Sequence, residues 1–405
     1  MVIERLTLSG DLLDQMTLSK VLDILNHHGV SFNVKKFLVG EFSSEPTLIE
    51  LHLKAPDLAT MRSAIRDCEE HGAHFDTEKL ELATADMDGV LPENFHSTTN
   101  FTTHLCLDDD WVEVENLEMD CGIRVWHDGE KWRAATCPMH RVRIGDQLVV
   151  GYHGVRVTPL EKEQRDEAEF RFMDNEISSE RPKLRMIEHA AESIRQARAE
   201  GRHVLFVGGP AIVHSGCAPL LERLIRQGWI DILFAGNALA AHDIEANMMG
   251  TSLGVDLRTG GSSAHGHTHH LRAINRVRRA GSIRKAVEEG LITGGVMHAC
   301  IEKDIPFVLC GSIRDDGPLP DVITDVVEAA DAMRAHIHDV AICLMVATTL
   351  HAVATGNILP ATVKTYCVDS DADTVIKLTD RGTHQAIGLV TDCEFVLNAL
   401  AQCLA

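Results

Sequence analysis

The sequence predicts an α/β protein with a parallel sheet in its C-terminal half, and three observations predict it. Five short, continuous apolar runs follow residue 200: His203–Val207, Asp231–Ala235, Pro306–Cys310, Ala341–Val346 and Val363–Val368. Amphipathic helical patterns separate most of them, and runs of this kind alternating with helices read as strands buried on both faces. Each run ends in small or polar residues: Gly208-Gly209-Pro210, Gly236-Asn237-Ala238, Gly311-Ser312, Ala347-Thr348-Thr349 and Asp369. In open parallel sheets ligands bind beyond the carboxyl ends of the strands, so these residues point to a nucleotide-type ligand.

From the N-terminus, residues 1–92 read strand, helix, strand, strand, helix, strand. Val2–Leu8 is the first strand. Leu18–His28 is a helix capped by Thr17 or Ser19 and stopped by Gly29. Strands follow over Ser31–Phe42 and Thr47–Leu53. Leu58, Met61, Ile65 and Cys68 mark one face of a second helix, and Leu80, Leu82 and Thr84 form the closing strand. This is the order of a ferredoxin-like module. Residues 93–184 read as a small β-rich domain and a connector. Trp111–Glu115, Gly122–Trp126, Trp132–Ala135 and Gln147–Gly151 are its strands, Asp128-Gly129 its hairpin turn, and charged Glu161–Leu184 the connector.

Residues 185–405 form the α/β domain. Ser215 is expected to cap a helix over Gly216–Gln227, Ser282 one over Ile283–Glu289, and Asp371 or Asp373 one reaching Arg381. Ala386–Val390 and Glu394–Leu404 supply the last strand and helix.

The whole chain sets bounds on function. Its 405 residues allow two or three domains, and 45% apolar content supports real cores. A formal charge of −22 disfavours nucleic-acid backbones and anionic membranes as partners. The longest apolar stretch, Val340–Leu350, is too short to span a bilayer, and the N-terminus does not read as a signal peptide. Eleven cysteines without a C-x-x-C pair read as reduced thiols in the cytoplasm.

No G-x-G-x-x-G follows a strand. Gly208-Gly209-Pro210 either lets backbone approach a phosphate or is a simple turn. Asn237 either fixes a ligand amide or hydroxyl or sits in a left-handed turn. Asp369 suits a ribose hydroxyl, with a helix N-cap as the alternative. Gly311–Pro320 places Arg314, Asp315 and Asp316 at a strand end. There Arg314 can pair with a carboxylate, and Asp315 or Asp316 can act as base or hold an ammonium group. A structural loop with a local ion pair is the rival, but position and charge together favour function. His265–His270 is too crowded for a regular zinc site and reads as a solvated or helix-starting loop, so no metal is expected. His214-Ser215 lacks a third residue that would make it a nucleophile pair, and Arg272, Arg276 and Arg279 read as a solvated helix face.

Four motifs carry a resemblance: Gly208–Ala211, Phe234–Ala238, Cys310–Asp321 and Met345–His351. They resemble the archaeal-type ornithine cyclodeaminases and the C-terminal half of the cyanobacterial bifunctional arginine dihydrolase/ornithine cyclodeaminases. The N-terminal portion is similar to the conserved domain named after lysine-ketoglutarate reductase/saccharopine dehydrogenase, and Phe95–Asn100 also looks family-like. The resemblance implies a Rossmann-like, deoxyhypusine-synthase-like NAD-binding domain. It also implies conversion of L-ornithine to L-proline and ammonia with NAD recycled, and by fold analogy a homotetramer. It places NAD against Gly209, Asn237, Ala238, Gly311, Ser312, Asp316, Thr348 and Asp369, and the catalytic carboxylate at Asp315 or Asp316; Asp316 cannot easily serve both roles. The rival functions are an NAD-dependent amino-acid dehydrogenase, a lysine-type cyclodeaminase, and a non-catalytic NAD and amino-acid sensor.

Overall fold

The computed structural model describes residues 2–10, 17–39, 47–69, 73–74, 80–108, 110–158, 183–252, 255–256, 269–313, 315, 317–380 and 386–405. The chain divides into two compact units, Met1–Arg165 and Asp166–Ala405.

The first unit opens with β1 (Val2–Gly10), α1 (Thr17–His27), β2 (Ser31–Leu38), β3 (Thr47–Ala55), α2 (Leu58–Glu69) and β4 (Ala73–His74). The strands form an antiparallel sheet in the order β2-β3-β1-β4, the ferredoxin-like arrangement. Period-two alternation in β3 turns Ile49, Leu51 and Leu53 to one face. There they pack with Leu6 and Leu8 against Val21 and Leu25 of α1 and Met61 and Ile65 of α2. Gly29, at φ 67°, lets the chain leave α1 in the left-handed region.

A second sheet comprises β5 (Glu81–Thr84), β6 (Thr102–Leu107), β7 (Asp110–Glu115), β8 (Gly122–His127), β9 (Trp132–Cys137), β10 (Gln147–Val150) and β11 (Val155–Thr158). Its order is β11-β6-β7-β9-β8-β10-β5. This corrects the expectation that Leu80–Thr84 closes the first sheet. β5 pairs with β10 instead, and β4 lies beside β1. Alternation specifies a strand and its buried face but not its partner. The Asp128-Gly129 turn joins β8 to β9 as expected, with Asp128 Oδ1 accepting from the amides of Glu130 and Lys131.

The Phe95–Asn100 motif is structural in this unit. His96, Thr98, Thr99 and Asn100 are all buried. Thr98 Oγ1 donates to Glu118 O at 2.6 Å and accepts from Cys121 N at 3.0 Å. His96 donates its Nδ1–H to Gly151 O at 3.2 Å, and burial pushes its imidazole down to about 4. The fold thus holds neutral histidine, whereas the unfolded chain takes up a proton below about 6.5. This contribution is complete above that pH and is lost as pH falls towards about 4, by roughly 3 kcal/mol. Chemical denaturation of wild type and H96Q at neutral and mildly acidic pH checks this. The wild type should lose more stability than the variant on acidification, and equal losses would refute it.

The second unit contains α3 (Lys183–Ala199), β12 (His203–Gly208), α4 (Ala211–His214), α5 (Ala218–Arg226), β13 (Ile232–Gly236), α6 (Asn237–Met249), β14 (Thr251–Ser252) and β15 (Val255–Asp256). It continues with α7 (His269–Ala280), α8 (Ile283–Glu288), α9 (Val296–Glu302), β16 (Phe307–Cys310), β17 (Val322–Ile323), α10 (Val326–Arg334) and β18 (Val340–Val346). It ends with α11 (Leu350–Ile358), β19 (Lys364–Asp369), α12 (Ala372–Asp380), β20 (Ala386–Val390) and α13 (Cys393–Cys403). The main sheet is parallel throughout, in the order β17-β16-β13-β12-β18-β19-β20. From β12 the chain winds outward to β17, then returns to β18 on the other side of β12. That reversal is the topological switch of a Rossmann-type fold.

Both sheet faces are buried, which is why the strands read as unbroken apolar runs. Phe206, Leu233 and Leu344 pack against α3, α5, α6, α9 and α13, while Val207, Phe234 and Met345 meet α10, α11 and α12. Ser282 caps α8 as expected, accepting from Lys285 N at 3.1 Å, and Asp371 accepts from Asp373 N at the start of α12. Ser215 does not cap a helix. α5 begins at Ala218 after Cys217, with proline in its first turn, and Ser215 Oγ lies on the sulfurs of Cys217 and Cys393. Proline at the second helical position sets a later start than the serine suggested.

Candidate active site

The site is built where β12 and β18 part. Gly208 pairs with Val346 in register, so Gly209 and Ala347 face one another just beyond the strand ends. A Cβ on Gly209 would lie 1.8 Å from Ala347 O and 3.1 Å from Thr348 Cβ. Only a glycine permits this approach, and Ala347 itself is left-handed at φ 52°. On the next strand, a Cβ on Gly236 would sit 2.7 Å from His351 Cε1. Gly236 leads straight into α6 as its N-cap, without a side-chain cap. The first amides of α6 therefore face the carboxyl edge with the positive end of the helix dipole. α11 likewise starts after Thr349 with no side-chain cap.

These features fit a dinucleotide. Glycine-lined close approach at the switch point and open helix N-termini accept a pyrophosphate without the usual fingerprint. Asp369 is half-buried at the end of β19, where a ribose-binding carboxylate belongs, although one of its oxygens accepts from Asp371 N at 2.9 Å. The helix cap proposed as its alternative belongs to Asp371.

Asn237 is buried, and its Oδ1 accepts from Leu319 N at 3.0 Å. It thus ties the loop after β16 to the start of α6. Ala238 follows it in the first turn. Within that loop, Gly311 N donates to Ile323 O at 2.8 Å, and Ser312 N donates to Asp315 Oδ2 at 2.9 Å. Arg314 and Asp316 lie outside the described residues. Thr348 Oγ1 is 3.4 Å from His351 Nδ1. Burial lowers the pKa of His351, and the negative charge of Asp315 opposes that shift. Asp315, Thr348, His351 and the Gly236 turn therefore share one corner.

His351 received no role from the sequence, although it closes the Met345–His351 motif. Its signal was the strand end a few residues before it. Residues 265–268 lie outside the described residues, whereas His269 and His270 begin α7, so this end of the tract does start a helix. Arg272, Arg276 and Arg279 are exposed on that helix, as their spacing suggested.

Comparison with known proteins agrees with this architecture. Residues 188–400 match the family described as arginine dihydrolase ArgZ-like, C-terminal, Rossmann fold. Residues 102–187 match the first region of the same C-terminal portion, and residues 3–101 match the LOR/SDH bifunctional enzyme conserved region. An ornithine cyclodeaminase of Methanothermobacter thermautotrophicus is 46% identical over 95% of this chain and 93% of its own length. The crystal structure of apo ArgZ, an arginine dihydrolase from cyanobacteria, superposes with a TM-score of 0.87 at 33% identity, covering 100% of this chain and 58% of its own. The ternary complex of AgrE with ornithine and NAD+ gives a TM-score of 0.54 at 37% identity, covering 100% of this chain and 57% of its own.

Proposed function

The chain belongs to the family of ornithine cyclodeaminases and ArgZ-like C-terminal regions, and from that premise we propose that it is an NAD-dependent ornithine cyclodeaminase. It converts ornithine to proline and ammonia. The observation that carries this reading is a relative matched across the whole chain and solved with both ornithine and NAD+ bound.

When bound, NAD supplies a hydride acceptor that returns what it takes, so the reaction needs no external oxidant. The residues of this chain do the rest. Gly209 and the first amides of α6, at Asn237 and Ala238, would receive the pyrophosphate. Thr348 and Asp369 would face the ribose hydroxyls, and Gly311 and Ser312 would line the opposite loop, with Asp316 the further candidate contact. Asp315 holds a substrate ammonium group beside His351, whose pKa burial lowers, with Asp316 as the alternative carboxylate. Fixing ornithine at the carboxyl edge brings its two amines to one carbon, which is the geometry that ring closure requires.

Residues 1–92, 93–184 and 185–405 remain the proposed division of the chain, close to the family boundaries at 101–102 and 187–188, although β5, within the first segment, pairs with β10 of the second. All eleven cysteines are free, which supports a reducing, cytoplasmic setting. No helix among the described residues is long and apolar enough to cross a membrane. The proposed assembly is a homotetramer, which light scattering would measure.

The test is incubation of the protein with ornithine and sub-stoichiometric NAD. Many turnovers to proline and ammonia per NAD, without NADH accumulating, are expected. NADH rising in step with product would indicate a dehydrogenase, and NAD binding without product would indicate another diamino acid or a sensor.

A further inference from the structure

Beside the carboxyl edge lies a polar cluster that the assignments above do not use. His242 and Glu245 sit one turn apart on α6, both buried, and Glu245 is 0% exposed. His242 Nδ1 lies 3.0 Å from Glu245 Oε2. The other oxygen, Glu245 Oε1, accepts from Thr251 Oγ1 at 2.9 Å, and that hydroxyl also lies 2.8 Å from His269 Nδ1. On the other side, the ring of His214 meets the ring of His242 edge-on at 4.7 Å, and His214 Nδ1 lies 2.7 Å from Ser252 Oγ. A fully buried carboxylate is costly unless each oxygen is engaged, and here both are.

The cluster's position matters as much as its bonds. His214 follows Gly208, the end of β12, by six residues, and His242 follows Gly236, the end of β13, by six. Helical side chains lean towards the N-terminus of their helix, so the His242 ring leans towards the carboxyl edge. His214 is exposed and His242 is buried, so the pair links solvent to the protein interior. Among the described residues no three His, Cys, Asp or Glu side chains converge as metal ligands would, so proton handling describes the cluster better than a metal site.

Cyclodeamination has a need that matches. Ornithine carries two ammonium groups, and each must shed a proton before its nitrogen can be oxidised or attack. Both protons must later be returned, one to the departing ammonia and one to the ring nitrogen of proline, so the net reaction neither consumes nor releases a proton. Resting on the cyclodeaminase reading, we propose that His214 and His242 form the proton relay of this reaction, with Glu245 as the residue that positions His242. Neutral imidazoles accept the ammonium protons, and the same groups, now protonated, return them.

Among the described residues, the titratable groups facing this pair lie on α6, α7 and α13. Burial lowers the pKa of His214, His242 lowers it further, and Glu245 raises it. His269 and His270 face the cluster from α7, with the ring of His270 5.9 Å from that of His242. Asp243 on α6 is turned away, accepting from Val296 N and Met297 N at the start of α9. α13 presents Cys393 to Ser215 beside His214.

The test uses the full chain with NAD, comparing wild type, H242Q, E245Q and H214N. Proline formation is followed by steady-state kinetics and NAD affinity by fluorescence. In H242Q kcat should fall about 100-fold or more, with KM for ornithine and NAD affinity within about threefold of wild type. In E245Q kcat should fall about tenfold, with KM for ornithine and NAD affinity within about threefold of wild type, because His242 loses the carboxylate that holds its ring. H214N, altered at an exposed position, should lower kcat about tenfold and serves if H242Q does not fold. Unchanged kcat in H242Q, E245Q or H214N would overturn the relay. A wild type that forms no proline would instead overturn the cyclodeaminase reading on which the relay rests.

Discussion

Replacing Gly209 by alanine should weaken NAD binding by about 100-fold or more and lower the stability of the second unit by roughly 2–3 kcal/mol. The added methyl would stand 1.8 Å from Ala347 O, a backbone atom that no side-chain rotation can move. Relief requires the end of β12 or of β18 to shift. The Gly209 N to Val346 O bond at 3.0 Å and the Ala347 N to Val368 O bond at 2.9 Å resist that shift. Because these two strand ends form the switch-point crevice, the steric cost and the loss of cofactor affinity come from the same displacement. Calorimetric titration of folded G209A with NAD separates them. Reduced stability with unchanged NAD affinity would place the cofactor elsewhere on the carboxyl edge.

The parallel sheet was legible because its strands are buried on both faces, which leaves continuous apolar runs such as Ala341–Val346, and their short length and the small or polar residues at their ends distinguish them from buried helix segments. Strands of the first unit were harder. β6, Thr-Thr-His-Leu-Cys-Leu, buries Thr103 beside Leu105 and Leu107, so its period of two does not show as apolar alternation, and the four-residue β11 is too short to show a period. β5 was legible as a strand but not as a neighbour of β10, since pairing is decided by packing rather than by local pattern. Capping followed the same logic. Ser282 stood directly before its helix and was readable, whereas Ser215 was displaced from its expected role by Pro219.

The candidate site divides similarly. Gly209, Thr348 and Asp369 could be read as candidates because each lies at or just beyond the end of a buried strand. His242 and Glu245 could not, because they lie inside α6, where a buried polar pair looks like any amphipathic irregularity until Thr251 and His214 are brought to it by the fold. Asn237 was legible as an important position, but its carbonyl oxygen serves first to anchor Leu319 and so to place the loop that carries Asp315.

Asp315→Asn should lower kcat/KM for ornithine about 1000-fold, some 4 kcal/mol, while leaving the fold intact. Asparagine keeps the volume of the side chain and an oxygen that can still accept from Ser312 N, so the turn closed at 2.9 Å survives. What disappears is the negative charge facing His351 and, in our reading, the substrate ammonium. A charged hydrogen bond in a partly buried corner is among the stronger single contacts available to an amino-acid site, and the variant cannot replace it. The same charge opposes the burial that lowers the His351 pKa, so the imidazole should titrate at still lower pH in D315N. Steady-state kinetics and NMR titration of His351 therefore read one change in two ways. If His351 shifts but kcat/KM does not, Asp315 shapes the local field without holding substrate, and D316N becomes the variant that should abolish turnover.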